Sequence, residues 1–162
     1  ICPALPTQPL RATFAEELAR RQRAPWIQEE RERIAASGLR ERDPAAYAKR
    51  IFELGVAGYF ADPARAKELT PFRIVGRVQR SVWESLGAYD ITGTLPLIEA
   101  PALVLHGAHD AIPLASSSLI ASALPRGELA VLDESAHVPY VEGRAAFFAA
   151  VREFLQRTSA LA

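Results

Sequence analysis

Between Ala102 and Leu132 the chain reads strand, helix, strand, and this span constrains the fold more than any other. Ala102-Leu103-Val104-Leu105 is an apolar run without alternation that ends at His106-Gly107. Residues 114 to 124 carry a helical pattern, Pro125-Arg126-Gly127 is a turn, and Glu128 to Leu132 is strand-like again. One βαβ unit accounts for all of this, and its right-handed crossover lays the two strands parallel. An unalternating run of four suits a parallel strand covered on both faces. The fold class is therefore α/β, and both strands aim their carboxyl ends at one rim, where open parallel sheets place their ligand chemistry.

Ahead of Asp90 the sequence is dense in Arg, Glu and Ala with few β-branched residues, and it predicts helices only. Phe14 and Leu18 belong to a first amphipathic helix. Pro25-Trp26 begins a second that contains Glu29 to Ile34 and stops at Ser37-Gly38. Asp43-Pro44, Asp62-Pro63 and Thr70-Pro71 each pair an N-capping side chain with a proline, whose missing N–H costs nothing at the first helical position, so each predicts a helix start. After Thr70, residues Phe72, Val75, Val78 or Gln79, Val82 and Leu86 recur at three or four, which predicts one buried stripe. Gly93 and Pro96 close the helical pattern. Phe147, Phe148, Val151, Phe154 and Leu155 mark the apolar face of a C-terminal helix. Two regions follow, a helical one ahead of Asp90 and an α/β one after it.

With 162 residues, 49% of them apolar, the chain can bury a core. Nineteen Lys and Arg balance nineteen Asp and Glu, so no field concentrates nucleic acid or anionic lipid, and neither is expected as a partner. No apolar run approaches the roughly 20 residues of a membrane span, and the single cysteine, Cys2, cannot form an internal disulfide. A cytoplasmic setting is the expectation. The start at Ile1-Cys2-Pro3 and the lack of any methionine read as a piece of a longer product.

On the shared rim, Gly107-Ala108-His109-Asp110 follows the first strand and Asp133-Glu134-Ser135-Ala136-His137 follows the second. Asp110 and His137 can meet there, a carboxylate and an imidazole able to form the hydrogen bond that fixes a histidine tautomer. The alternative is that Asp110 caps the helix after Pro113 and His137 is an exposed loop histidine.

The stretch from Ile98 to Leu155, through Pro101-Ala102-Leu103-Val104-Leu105-His106-Gly107-Ala108-His109-Asp110 and Ala136-His137-Val138-Pro139 to Glu142 and Phe147, resembles the C-terminal end of an α/β-hydrolase. Tyr89-Asp90-Ile91 is similar to the approach to that strand in prolyl aminopeptidase (proline iminopeptidase)-like members. The resemblance implies a helical cap (lid) over 1–88, the C-terminal part of the hydrolase core over 89–162, and hydrolysis of ester or amide bonds by a Ser-Asp-His triad without cofactor. Asp110 and His137 match its last two members, His137 as the base and Asp110 as the group that orients the ring.

Two departures stand out. No Gly-x-Ser-x-Gly elbow occurs in the chain, and Ser116-Ser117-Ser118 and Ser135 lack its flanking glycines, so the nucleophile is expected upstream of Ile1. Ala136 replaces the glycine usual before the histidine, which removes freedom at positive φ and adds a methyl near the site. The expected partners are accordingly an N-terminal fragment of the same hydrolase, bearing the serine, and a small-molecule or short-peptide substrate. Two strands alone make a marginal sheet, so the chain is expected to pair with that fragment or to self-associate. A complete, non-catalytic binding module is the competing reading.

Other candidates are weaker. A metal at His106, His109, Asp110 and His137 would need three of them to converge, and none is expected. Trp26, Trp83 and Tyr89 could line a pocket, with Trp83 expected in the core. Glu29, Glu30 and Glu84 could hold a substrate amine, though a solvated helix face explains them as well.

Overall fold

A computed structural model describes residues 5–72 and 75–159, so the readings of Ile1 and Cys2 lie outside the described residues. Thr7 caps α1 (Gln8–Gln22) by accepting from the Leu10 N–H, and Pro9 sits in the first turn. Pro25 opens α2 (Pro25–Ala36), which ends just before Gly38, a residue at φ 65° where a side chain would strain the backbone. A short α3 (Leu39–Arg42) leads to α4 (Pro44–Val56), capped by Asp43 accepting from the Ala46 N–H at 2.9 Å. Asp62 repeats the device on the Ala64 N–H, but what it starts is a 3-10 helix, Pro63–Glu68. Apart from one antiparallel bridge between Thr7 and Asp90, the described residues of this region are helical or irregular.

The third capping pair fails. Thr70 and Pro71 are irregular, and α5 (Gly76–Leu86) begins five residues later. Its predicted stripe is not buried: Phe72, Val75, Val78, Val82 and Leu86 are all exposed. The periodicity is real, but Phe72, Val75 and Val78 line an open cavity, while Val82 and Leu86 do not line it. Trp83 is likewise half-buried rather than core, with the Arg11 guanidinium 4.5 Å from its ring centroid and Tyr89 stacked at 6.5 Å.

β1 (Ala102–Gly107) and β2 (Gly127–Leu132) pair in parallel, in register from Ala102 opposite Gly127 to Gly107 opposite Leu132, with α6 (Leu114–Ala123) as the crossover. β1 is covered on both faces: Val104 packs with Leu95, Ile120 and Leu124, and Leu105 with Leu132 and Phe147. β2 is less covered, with Leu129 and Val131 exposed. A single turn, α7 (Pro139–Glu142), precedes α8 (Arg144–Ser159). The apolar face of α8 is only partly used, since a two-stranded sheet buries Phe147 and leaves Phe148 and Leu155 exposed. This order of elements is the one predicted for the C-terminal portion of an α/β-hydrolase fold, with helices ahead of strand, helix, strand and final helix.

The helical region and the rim share a core. Ile27, Val56, Ala57, Phe60, Ala66 and Leu69 form one buried cluster with Val138, the residue after His137. None of the helices is long and apolar enough to cross a membrane, among the described residues.

Candidate active site

The two loops that leave the rim are stitched together by main chain. Ala108 N–H donates to the Leu132 carbonyl and His109 N–H to that of Ser135, both at 3.0 Å. Gly107 permits this approach: a Cβ there would lie 2.1 Å from the Ala136 carbonyl oxygen and 2.5 Å from that of Ser135. The loops close on a hydrogen bond between Asp110 Oδ2 and His137 Nδ1, 3.0 Å long. A carboxylate can only accept, so Nδ1 donates, and in the neutral ring this tautomer leaves the lone pair on Nε2. The Asp110 side chain is fully buried and the His137 side chain 30% exposed. Asp110 also accepts from the Ile112 N–H at 3.0 Å through Oδ1, a local turn ahead of α6 rather than a cap on it, since no side chain caps α6 behind Pro113.

The helical region holds both loops. His137 N–H donates to the Tyr59 carbonyl at 3.0 Å, and the Tyr59 ring stands 5.1 Å from the imidazole. Burial, and after it the negative charge of Asp110, pushes the Tyr59 hydroxyl pKa up. Arg21 of α1 donates to the carbonyls of His109 at 2.9 Å and Asp110 at 3.3 Å, and pairs with Glu17 at 2.7 Å. Hydrogen bonds from Arg20 and Arg21 bring Glu17 down to about 2, so it stays ionised and keeps Arg21 aimed. Glu142 accepts from the Ala61 N–H at 2.7 Å and the Ala136 N–H at 2.8 Å, and Arg65 donates to the carbonyls of Val141 and Glu142. Sequence reasoning missed the roles of Arg21, Arg65 and Glu142. Arg21 and Arg65 look like ordinary helix-surface arginines with acidic neighbours, and only the position of Glu142, five residues after His137, was a usable signal.

The remaining candidates sort themselves by burial. Ala136 is fully buried, and no described non-glycine residue has positive φ, so the missing glycine costs no backbone strain. Ser116, Ser117 and Ser135 are buried as well. His106 is buried with Nδ1 2.7 Å from Ser117 Oγ, while His109 is exposed. Among the described residues no three His, Cys, Asp or Glu side chains are grouped to hold a metal ion. Glu30 is engaged by Arg33 and Arg50, and Glu29 and Glu84 face solvent.

His106 yields a pH prediction. Burial pushes its pKa below the ordinary 6.5. The unfolded chain therefore binds the extra proton first, and the stability from the neutral ring, fully present above pH 6.5, is lost as pH falls below it. The urea midpoint should drop between pH 7.5 and 5.5, and drop less in His106→Asn. An equal drop in both would remove His106 as the cause.

Two polar or apolar clefts flank the pair. One, of about 700 Å³, is lined by Arg20, Arg21, Trp26, His109 and Asp110; the other, about 900 Å³, is mainly apolar and includes His137.

Comparison with known proteins adds the following. The chain is similar to the crystal structure of VinJ, at 19% identity over 90% of this chain and 53% of that one, with a TM-score of 0.49. It is similar to Est816, described as an N-acyl homoserine lactone degrading enzyme, at 19% identity over 85% and 51%, TM-score 0.48. It is also similar to 2-hydroxy-6-oxo-6-phenylhexa-2,4-dienoate hydrolase (BphD) from Rhodococcus sp. strain RHA1, at 24% identity over 76% and 48%, TM-score 0.48. The chain spans about half the length of these structures. No family model and no curated protein matches it.

Proposed function

We propose that this chain supplies the base and its orienting carboxylate to a serine hydrolase that cleaves ester or amide bonds through an acyl-enzyme. In this reading residues 1–88 form the cap, residues 89–162 belong to the core, and the serine comes from an N-terminal segment of the same cytoplasmic enzyme. The Asp110–His137 hydrogen bond at 3.0 Å carries the proposal. His137 Nε2 takes the serine proton as the acyl bond forms and returns it to the leaving group, while Asp110 holds the ring and stabilises the imidazolium. A prolyl aminopeptidase-like specificity is the narrower form and rests on the Tyr89-Asp90-Ile91 resemblance. It lacks structural support, since Glu29, Glu30 and Glu84, the carboxylates offered for a substrate amine, do not line the cavity that contains His137. Ester or amide hydrolysis without an amine requirement is the form carried forward.

The test is covalent. Chain 1–162 alone should neither react with a fluorophosphonate probe nor hydrolyse p-nitrophenyl esters above background, and should gain both properties when joined to a segment bearing Gly-x-Ser-x-Gly. Labelling of any serine in this chain would overturn the assignment, and a natural gene product without that motif would favour the non-catalytic binding module.

A further inference from the structure

The cavity beside His137 has a definite chemical character. Its walls are Leu18 of α1, Val56 of α4, Tyr59, Val78 of α5, Val138 and Tyr140, and its volume of about 900 Å³ is within the range of small-molecule sites, ~300–1,000 Å³. We propose, on the basis of the hydrolase reading above, that this cavity takes the acyl or aryl part of the substrate and selects uncharged or anionic apolar groups over those bearing a free amine.

Three observations carry this. First, none of the described residues lining the cavity is an Asp or Glu, and its one permanently charged side chain is a cation, Arg31. A protonated amine brought here would shed water without a counter-charge. The nearby carboxylate, Asp110, is fully buried and bonded to the imidazole. Second, the apolar residues Phe72, Val75 and Val78 line the cavity while remaining exposed, so a bound apolar chain would remove them from water. Third, Gly55 lines the cavity from α4, and a Cβ added there would meet nothing within 4 Å, so the wall is open where a side chain would otherwise project.

The glycine makes the test clean. In chain 1–162, the His137 Cε1–H resonance is followed by NMR during titration with 1-octanol, octanoate, octylamine and prolinamide. Octanol and octanoate should give saturable shifts, with octylamine and prolinamide at least tenfold weaker. Gly55→Leu should weaken octanol at least tenfold with its circular dichroism unchanged, and Val78→Asn, at an exposed helix position, should weaken it several-fold. Octylamine or prolinamide binding as tightly as octanol, or octanol binding untouched by both variants, would overturn the proposal. The two readings fail separately. Octanol binding without hydrolysis in the joined protein removes the hydrolase and supports the cavity assignment, whereas a preference of the joined protein for prolyl arylamides removes the cavity assignment alone.

Discussion

Joined to a segment that supplies the serine, His137→Ala should lower kcat by roughly 10⁵- to 10⁶-fold, and Asp110→Asn by about 10⁴-fold. The asymmetry follows from what each group does. Without the imidazole nothing takes the proton from the serine. An asparagine at 110 still fits the buried site and can still accept from the Ile112 N–H, but it no longer presents an anion to His137 Nδ1. Steady-state kinetics on a p-nitrophenyl ester measures both variants, and circular dichroism checks that they fold. His137 is partly exposed, so the truncation should leave the fold intact. A His137→Ala variant within tenfold of the parent would remove the base assignment.

The second large effect concerns Gly107. In Gly107→Ala the new methyl would overlap two backbone carbonyl oxygens, those of Ala136 and Ser135, and neither can swing away as a side chain could. Overpacking of a core costs about 1–3 kcal/mol, and a clash with main chain on both sides should reach or exceed the upper end. The same displacement separates the loops bearing Asp110 and His137, so activity of the joined protein should fall along with stability. Gly55→Ala is the matched control: its Cβ is unobstructed in the last turn of α4, and a gain of about 0.4–1 kcal/mol is expected there. Urea denaturation of both variants measures the difference. Equal stabilities would mean that the rim loops are not held as closely as the Gly107 contact implies.

The features legible in the sequence were those with local causes. Asp43-Pro44 caps its helix because both the side chain and the proline act within four residues. The βαβ unit was readable because Val104 and Leu105 are apolar on successive positions and are covered from opposite faces. Asp110 and His137 came together because their separation is fixed by one crossover. What escaped was decided by distant partners. The stripe from Phe72 to Leu86 has the period of a buried helix face, but period does not say whether anything packs against it. Arg21 reaches carbonyls nearly ninety residues away, and no pattern around α1 announces that.

The ties between Tyr59, Ala61 and Arg65 on one side and the segment from Ala136 to Glu142 on the other bear on modularity. A helical insert that merely roofed a cleft could be traded between homologous scaffolds at its two junctions. Here the helical region supplies backbone acceptors and donors to the loop that carries His137, so a chimera built at the junctions alone would import a foreign support for that loop. Grafts that retain residues 57–65 with the recipient's histidine loop preserve those bonds. The boundary that matters for recombination therefore runs through the middle of the helical region and not at its ends.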